Sequence, residues 1–513
     1  MADASPTLTA DMVDEAFAKS ALSADELRAL IAGAEATSAS GPDLPGLDEE
    51  SEAGSAAPAA QEWGFDIEEM NRQFALVLMG SKAVVVREMT QAKTEDRVRI
   101  LAIDAFRAYF GNKFTQVTGA DGKIRTITWA DRWLRASARR QYDGIEFHPD
   151  RNNAGGTPGY LNLWRGFSVE PKRGAGEYKI FRDHLLTNVC SGNQDLFTWI
   201  FGWFAHLVQR PRERIGTALV FRGRMGTGKT KVGEVIGRLI ADHYFLVDDP
   251  RYITGQFNAH MAACLLMQAE EAVWAGDKAA EGRLKSLVTS GTQMIEAKGV
   301  DPVRVDNYLR LIMTSNEDWV VPAGKEERRF AVFTISDHAR DNHGYFAEMQ
   351  EELEAGGYEA LLADLLDFDL SSVNLRLIPK TEALLEQKIR SLKHVERWWL
   401  DCLHRGSMVR SGSDWQAEIA KSHLFAEYLA DGDRAGIRHR SGETELGIAL
   451  RKLIPGLREA RKLMRADGGD FQRFRAWIVP GLEDCRAAFE ELVGQPITWP
   501  DDESAGEGAS DGA

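Results

Sequence analysis

The alternation of apolar and polar residues along the chain predicts a mixture of strands and helices. In the first third of the chain, two apolar runs flank Gly80-Ser81, which predicts two strands joined by a turn. An alternating stretch further on predicts another strand, and the basic stretch after it predicts a helix. These four predicted elements cover residues 74–79, 82–87, 124–129 and 131–140.

Residues 178–208 have apolar positions at helical spacing, and the chain is again mostly helical beyond Pro379. Phe197, Ile200 and Phe204 belong to one stripe of this pattern. Such a stripe is typical of a helix face that packs in a core.

Three short apolar runs predict buried strands of the kind found in parallel sheets that helices cover on both faces. They are Thr217–Phe221, Ala262–Met267 and Leu309–Asn316. After the first run, apolar residues from Val232 to Ile240 recur at intervals of three and four, which predicts a helix with one buried face. The expected fold class is therefore α/β.

Length and composition indicate a globular chain with several domains, since 513 residues are 44% hydrophobic and 27% charged. No apolar run is long enough for a transmembrane helix and no signal peptide is recognisable, so we expect a cytoplasmic protein without a membrane partner. The cysteines lie far apart without metal-ligand spacing, which argues against a zinc site or a disulfide framework. They are Cys190, Cys264, Cys402 and Cys485.

The net charge of −16 is concentrated in the two tails. Residues 1–60 hold twelve acidic and two basic residues, and residues 501–513 hold five acidic and no basic residues, so the body carries only −1. An acidic chain therefore does not exclude a nucleic-acid partner. Residues 434–475 hold eleven Lys or Arg against five Asp or Glu, which favours such a partner locally.

The strongest motif is a glycine-rich loop that matches G-x-x-x-x-G-K-[ST] and stands between the first buried strand and its helix. Glycines let backbone N–H groups wrap a polyphosphate, and the helix presents unpaired N–H groups at its positive end. Lys229 would lie between the β- and γ-phosphates and the Thr230 hydroxyl would bind Mg²⁺, so ATP and Mg²⁺ are the expected cofactors. The alternative is a glycine turn before an ordinary helix. The loop residues are Gly223, Arg224, Met225, Gly226, Thr227, Gly228, Lys229 and Thr230.

Glu270-Glu271 follow the second buried strand, and Asn316 ends the third. The carboxyl ends of parallel strands meet at one crevice, so these side chains would reach the phosphate loop. We expect Glu270 to hold Mg²⁺ through water, Glu271 to act as general base, and Asn316 to bind the attacking water or the γ-phosphate. The alternatives are a solvated helix start for the acidic pair and a turn residue for Asn316.

Arg328-Arg329 follow the third strand. An arginine here is a candidate finger that stabilises charge on the γ-phosphate of a neighbouring subunit. The sequence does not separate Arg328 from Arg329, and the alternative is a solvated charge run.

Together these motifs resemble superfamily 3 helicases, which are compact AAA+ ATPases of phages, plasmids and small DNA viruses. Further segments resemble the helicase portion of phage primase–polymerase/helicase proteins, and the resemblance is best over residues 160–345. Members of the family often have Asp-Glu at the acidic pair, and the longer Glu270 would still reach Mg²⁺ through water. The further segments are Asn162–Phe167, Phe257-Asn258, Leu284–Thr289 and Glu326–Phe330.

The resemblance implies a ring, usually a hexamer, with ATP bound between subunits and a hairpin that holds DNA in the channel. The hairpin corresponds to residues 289–307, with its tip at 298–301. Lys285 and Lys298 are the expected DNA contacts, because a motor grips phosphate without recognising sequence. An ordinary surface hairpin is the alternative.

The resemblance also implies an AAA+ P-loop core between a mixed α+β domain and a mainly helical, winged-helix-like region. The expected divisions are an acidic disordered tail (1–60), the α+β domain (61–160), a helical domain (161–210), the ATPase core (211–345), a helical lid (346–390), the C-terminal domain (391–499) and a second acidic tail (500–513).

Seven basic residues of the C-terminal domain are candidates to bind phosphates, or they form the solvated face of a packing domain. They are Arg438, Arg440, Arg461, Lys462, Arg465, Arg473 and Arg475.

The expected function is an ATP-dependent DNA helicase or translocase for phage, prophage or plasmid replication in the bacterial cytoplasm. It would act on single-stranded or forked DNA, and it would use a separate primase or polymerase because residues 61–160 carry no evident metal-carboxylate motif. One alternative is a nucleotide-switched, oligomeric DNA-binding initiator or defence ATPase that does not unwind DNA. Another is a degenerate paralogue that binds ATP without turnover, against which the intact Glu271 argues.

Overall fold

The computed structural model describes most of the chain beyond residue 63. The chain divides into residues 1–61 and residues 62–513, and every described residue lies in the second unit. Apart from Pro500, both acidic tails lie outside the described residues. The described ranges are 64–89, 97–255, 258–271, 278–296, 302–318, 320–321, 323–325, 327–412, 414–438, 440–465 and 471–500.

The amino-terminal part contains a four-stranded sheet with strand order β3-β2-β1-β6. The predicted hairpin is confirmed, since β1 and β2 pair antiparallel around Gly80-Ser81. Val85 packs in a mainly aromatic cluster with Phe74, Phe106, Phe110, Trp129 and Trp133. Val84 and Val86 pack in the main core. The elements are α1 (Ile67–Gln73), β1 (Phe74–Met79), β2 (Lys82–Glu88), β3 (Val98–Ala102), α2 (Ile103–Tyr109), β4 (Phe114–Thr118), β5 (Ile124–Thr128), α3 (Trp129–Arg135), β6 (Gln141–Tyr142), β7 (Gly144–Glu146) and β8 (Tyr160–Asn162).

The helix predicted over residues 131–140 is wrong at its C-terminal end. Helix α3 ends at Arg135, because Ala136 has an extended backbone (φ −72°, ψ 130°). It begins at Trp129, where the Thr128 side chain accepts a hydrogen bond from the Asp131 N–H and caps the helix.

The predicted helical stretch 178–208 is confirmed, with an interruption at Ser191, whose φ is +50°. It comprises α4 (Lys179–Asp183), a π-helical turn (His184–Val189) and α5 (Gln194–Gln209). The predicted apolar stripe of α5 is buried in the main core.

The central element is a parallel five-stranded sheet with order β10-β11-β14-β9-β15. Its strands carry almost unbroken apolar side chains and all five pack in the main core, so the α/β class is confirmed. The elements are β9 (Ala218–Arg222), α6 (Lys229–Leu239), a 3₁₀ turn (Ala241–His243), β10 (Tyr244–Val247), α7 (Arg251–Thr254), a 3₁₀ turn (Ala259–Ala263), β11 (Leu266–Glu270), α8 (Lys278–Thr289), β12 (Thr292–Ile295), β13 (Val303–Asp306), β14 (Arg310–Ser315) and β15 (Phe330–Thr334).

Two details of this region differ from the prediction. The strand predicted at 262–267 begins four residues later, because residues 259–263 form a 3₁₀ turn. Strands β10 and β15, at the two edges of the sheet, were not predicted. The predicted strand pair β12–β13 is present, with Thr292 opposite Asp306. Its tip at 298–301, including Lys298, lies outside the described residues.

The remainder of the chain is mostly helical and ends in a separate hydrophobic cluster around Trp398, Trp399 and Trp477. The helix in this part of the chain ends at Leu453, and residues 458–465 form a strand of an antiparallel sheet with order β16-β18-β17. The elements are a 3₁₀ turn (Asp337–Ala339), α9 (His343–Glu352), a π-helical turn (Leu353–Gly357), α10 (Tyr358–Asp367), a 3₁₀ turn (Leu370–Ser372), α11 (Glu382–Arg390), α12 (His394–Arg405), β16 (Glu418–Ala420), α13 (Lys421–Arg434), α14 (Glu443–Leu453), β17 (Arg458–Arg465), β18 (Phe471–Ile478) and α15 (Leu482–Val493).

Among the described residues, no helix combines the length and the apolar character needed to cross a bilayer. All four cysteines are buried free thiols.

Candidate active site

A cleft of about 360 Å³ lies where β9, β11 and β14 reach their carboxyl ends. Strand β14 runs between β9 and β11 in the sheet. The residue that follows β14 therefore stands between the phosphate loop after β9 and the acidic pair at the end of β11. The predicted residues that line the cleft are Met225, Gly226, Gly228, Lys229, Thr230, Glu270, Glu271 and Asn316.

Two glycines of the loop have a left-handed backbone, with φ of +80° at Gly226 and +88° at Gly228. A Cβ atom at Gly226 would lie 2.1 Å from Oδ1 of Asp341, and one at Gly228 would lie 2.7 Å from the ring of Phe346. The left-handed backbone favours glycine at both positions, and at Gly228 the aromatic ring also leaves no room for a side chain.

The other loop residues have different surroundings. The Thr227 hydroxyl donates to the Arg224 carbonyl oxygen (2.9 Å) and holds the loop closed. The Arg224 guanidinium pairs with Asp337 (3.2 Å), and Met225 is 78% exposed at the edge of the cleft.

Lys229 begins α6 and is 8% exposed. Its Nζ donates to the carbonyl oxygens of Gly223 (2.8 Å) and Arg224 (2.7 Å) and to Oδ1 of Asn316 (2.7 Å). Burial lowers the pKa of Lys229, and the nearby carboxylates of Glu271 and Glu270 oppose that shift. The ammonium group thus lies within the loop with all three donors engaged.

The acidic pair contacts both sides of the cleft. The Thr230 hydroxyl donates to Glu270, and the Asn316 amide Nδ2 donates to Glu271. Glu271 has a left-handed backbone, with φ of +49°, and its N–H donates to the Thr314 carbonyl oxygen (2.9 Å). A non-glycine residue in this conformation is uncommon, and such strain is frequent at functional sites.

A buried polar contact supports the floor of the cleft. The Gln268 side chain on β11 is fully buried, donates to the Thr230 carbonyl oxygen (3.1 Å) and accepts from the Tyr244 hydroxyl (2.8 Å). A Cβ at Gly233 would lie 1.7 Å from the Gln268 amide oxygen, so α6 approaches the sheet closely here.

Several residues of the cleft were missed by the sequence analysis. Asp341, His343 and Phe346 line it from the start of α9, far along the chain from the loop. Asp341 has a φ of +55° and donates its N–H to the Gly226 carbonyl oxygen (3.1 Å). No local motif marks these residues, although Asn342, the N-cap of α9, was a recognisable helix start.

His184, in the π-helical turn, was also missed. Its ring lies beneath the loop, where a Cβ at Gly228 would be 2.8 Å from its Cε1. Burial lowers the pKa of His184 to about 4, so the imidazole is neutral at physiological pH. Its Nδ1 lies 3.0 Å from Nδ2 of Asn188.

The two candidate finger residues differ in environment, and neither lines the cleft. Arg328 is exposed, and its N–H donates to Glu327 (3.0 Å). Arg329 is half-buried, its N–H donates to the same carboxylate (2.7 Å), and its Nη1 lies 3.8 Å from it. Lys285 also lies away from the cleft, on α8, where it pairs with Glu281 one turn earlier.

Solved structures of the NrS-1 C-terminal region have a similar fold. The apo structure of the NrS-1 C-terminal region aligns with a TM-score of 0.55 and 17% identity, covering 83% of this chain and 100% of that one. A second form of the same region aligns with a TM-score of 0.54 and 18% identity, covering 80% and 98%.

Sequence comparison leads to the same phage. The chain is homologous to the DNA primase-polymerase of Nitratiruptor phage NrS-1, with 25% identity over 256 residues, or 47% of this chain. The match spans 35% of that protein, so the chain covers about a third of the length of the relative. A family of unknown function, DUF5906, matches residues 221–329, a range that contains the phosphate loop, the acidic pair and Asn316.

Proposed function

We propose that the protein is an ATP-dependent DNA motor, a helicase or translocase of the AAA+ superfamily 3 type, that works in phage DNA replication. The observation that carries the proposal is the meeting of Lys229, Thr230, Glu270-Glu271 and Asn316 in one cleft at the end of a parallel sheet. A cation, a hydroxyl, two carboxylates and a neutral amide are the groups that phosphoryl transfer to water uses.

The donor set of the cleft fits Mg²⁺, since Thr230 and Glu270 are hydrogen-bonded neighbours and both offer hard oxygen ligands. Bound Mg²⁺ would neutralise charge on the phosphate oxygens. The loop N–H groups and Lys229 would hold the β- and γ-phosphates once Lys229 exchanges its bonds to the loop carbonyls for phosphate oxygens.

In the cleavage step, a water oxygen would bond to the γ-phosphorus while the bond from that phosphorus to the ADP oxygen breaks. Glu271 would take the proton of the attacking water, which requires its carboxylate to be ionised. The Asn316 amide bridges Lys229 and Glu271, so it is suited to hold the base beside the γ-phosphate.

We assign the finger role to Arg328 rather than Arg329. Arg328 is exposed and so is available to the cleft of a neighbouring subunit, whereas the Arg329 side chain lies against Glu327. An arginine supplied from a second subunit implies a closed ring, for which a hexamer is our proposal.

The polynucleotide partner is supported by the named activity of the phage relative and by the C-terminal sheet. Antiparallel pairing places Arg461 opposite Arg475 and Leu463 opposite Arg473, so the three arginines share one face of the β17–β18 hairpin. Like charges directly opposite each other are destabilising unless an anion neutralises them. A phosphate backbone is the anion that a DNA motor would supply.

The structure divides the seven basic candidates of the C-terminal domain into groups. Arg440 pairs with Asp433 (2.5 Å) and Lys462 pairs with Glu418 (2.6 Å), so both are neutralised within the chain. Within the described part of the chain, Arg461, Arg473 and Arg475 are exposed and form no ion pair. Arg438 is exposed, and the side chain of Arg465 lies outside the described residues.

An assay of ATP hydrolysis with and without single-stranded DNA tests the proposal. We expect Mg²⁺-dependent turnover that DNA stimulates, displacement of a strand from a forked duplex, and loss of both in Lys229→Ala. Lys179→Ala, at an exposed lysine at the start of α4, serves as the control. Nucleotide-dependent oligomers that never unwind DNA would favour a switched initiator instead, and a monomer whose turnover ignores DNA would refute the motor.

A further inference from the structure

Helix α11 holds the chain that follows Asn316. Gln387 on this helix is fully buried, and its Oε1 accepts the N–H groups of Val320 (2.9 Å) and Val321 (3.3 Å). Its Nε2 donates to the Asp318 carbonyl oxygen (2.5 Å). One side chain therefore satisfies three main-chain groups of a segment that begins two residues after Asn316.

Two arginines strengthen this attachment. Arg390, one turn after Gln387, pairs with the Asp318 carboxylate (2.8 Å). Arg222, which directly precedes the phosphate loop, donates to the same Asp318 carbonyl oxygen (3.2 Å) and pairs with Glu386 on α11. The end of β9, the segment after β14 and helix α11 thus meet at Asp318.

Helix α11 is also bonded to the C-terminal region. The Lys388 ammonium donates to the Val493 carbonyl oxygen (2.6 Å), and the Gln495 amide donates to the Thr381 carbonyl oxygen at the start of α11 (3.0 Å). Gln387 and Lys388 are adjacent, so one helix contacts the Asn316 segment with one side chain and the C-terminal helix α15 with the next.

We propose that Gln387 is a positioning residue for the cleavage step: it holds the main chain at Asp318, Val320 and Val321 and thereby keeps the Asn316 amide between Lys229 and Glu271. This inference rests on the proposed ATPase function. The amide suits the task because it accepts and donates at once, and a buried segment with unsatisfied N–H groups would move to find other partners. Gln387 does not line the cleft, so any effect on cleavage is indirect, and the segment that it holds begins two residues after Asn316.

The test compares Gln387→Met with Gln495→Met in the full-length protein. Each change removes a buried side-chain amide: Gln387 lies on α11, and Gln495 donates a hydrogen bond to the start of α11. Of the two, only Gln387 contacts the segment after Asn316. We expect kcat for ATP to fall by about tenfold to a hundredfold in Gln387→Met, with KM within about twofold, because a small displacement at the reacting groups affects the transition state more than binding. Gln387→Glu, which still accepts both N–H groups, should recover part of the loss.

Amide hydrogen exchange gives a second readout that needs no turnover. Peptides covering residues 316–321 should exchange faster in Gln387→Met and unchanged in Gln495→Met. Equal kinetic losses in the two variants, or unaltered exchange of these peptides, would overturn the inference. An inactive wild-type protein would instead refute the proposed function, and the exchange result would still decide whether Gln387 holds the segment.

Discussion

At the scale of single residues, the cleft is organised around Asn316. Its Oδ1 accepts from Lys229 and its Nδ2 donates to Glu271, so one amide joins the loop lysine to the acidic pair. The sequence predicted these three residues as site residues because Lys229 belongs to the glycine-rich loop motif, while Glu271 and Asn316 lie at the ends of predicted strands. It could not predict that the amide bridges the other two, since that depends on β14 lying between β9 and β11.

We predict that Asn316→Asp lowers kcat for ATP by about 10²- to 10³-fold, since the change removes a donor and puts a second carboxylate beside Glu271. A neighbouring negative charge raises the pKa of a carboxyl group, so the acidic limb of the kcat–pH profile should move to higher pH. Steady-state rates between pH 5 and 9 provide the measurement.

The control for that change is Asn193→Asp, which introduces the same charge at the N-cap of α5, far from the cleft residues in sequence. Asp is as good an N-cap residue as Asn, so the helix should be unaffected. If the acidic limb stays where it is in Asn316→Asp while the rate falls, the carboxylate of Glu271 is not the base.

Residues contributed by distant segments mark the limit of prediction at this scale. Asp341 and Phe346 lie against Gly226 and Gly228 through tertiary packing, and they belong to no motif recognised in the sequence. The glycines themselves were predicted from the motif, but the groups that require them were not.

At the scale of elements, strands that are continuous apolar runs in the sequence were predicted. Strands that form only because they pair with an adjacent strand of the sheet were not. β9 and β14 are continuous apolar runs, whereas β10 has only four residues and β15 follows a charged segment. The start of β11 was misplaced because Ala262 and Ala263 are as apolar as the strand itself, so the 3₁₀ turn has no signal of its own. Periodicity cannot separate a short apolar turn from a buried strand.

The β17–β18 hairpin gives a prediction that belongs to this scale. Replacing Arg461 or Arg475 by Ala should weaken DNA binding and reduce the slope of log K against log salt by about 0.7–0.9 per lost phosphate contact. Without DNA, the same variants should be as stable as the wild type or more stable by about 0.2–1 kcal/mol, because each removes one of two facing like charges. Fluorescence anisotropy over a salt series and thermal unfolding are the measurements.

Lys462→Ala is the matched control, since it removes one positive charge from the other face of the same strand, where it pairs with Glu418. An unchanged salt slope in the Arg461 and Arg475 variants would mean that this face does not contact phosphates.

At the scale of the whole molecule, three buried histidines link stability to pH. Burial lowers the pKa of His184 and His243 to about 4 and that of His206 to about 3. The unfolded chain binds these protons near pH 6.5 and the folded chain does not. Stability therefore rises with pH up to about 6.5, from about pH 4 for His184 and His243 and from about pH 3 for His206, and it is lost as pH falls through that window. The full loss is about 3 kcal/mol each for His184 and His243 and about 5 kcal/mol for His206, and it is reached only when the pH falls to the folded-state pKa of the group.

We therefore predict that the thermal midpoint is nearly constant from pH 8 to 7 and falls steeply from pH 6.5 to 5. His206→Asn should flatten this dependence, whereas His423→Asn, at an exposed histidine, should leave the dependence unaltered. Calorimetry across the pH series is the measurement, and a flat midpoint down to pH 5 would mean that the buried imidazoles are protonated in the folded state.

The proposed ring requires cooperation between subunits, and two inactive variants can test it. Lys229→Ala cannot cleave ATP in its own cleft but keeps Arg328, while Arg328→Ala keeps its cleft but supplies no finger. If Arg328 acts in a neighbouring cleft, an equal mixture should recover about a quarter of wild-type turnover, because that fraction of interfaces joins an intact cleft to an intact arginine. Recovery should require conditions in which subunits exchange. In the control, Arg329→Ala replaces Arg328→Ala, and we expect that variant to be active before mixing. If the mixture is as inactive as its components, Arg328 acts in the cleft of its own chain. The arginine would then give no support to the proposed ring.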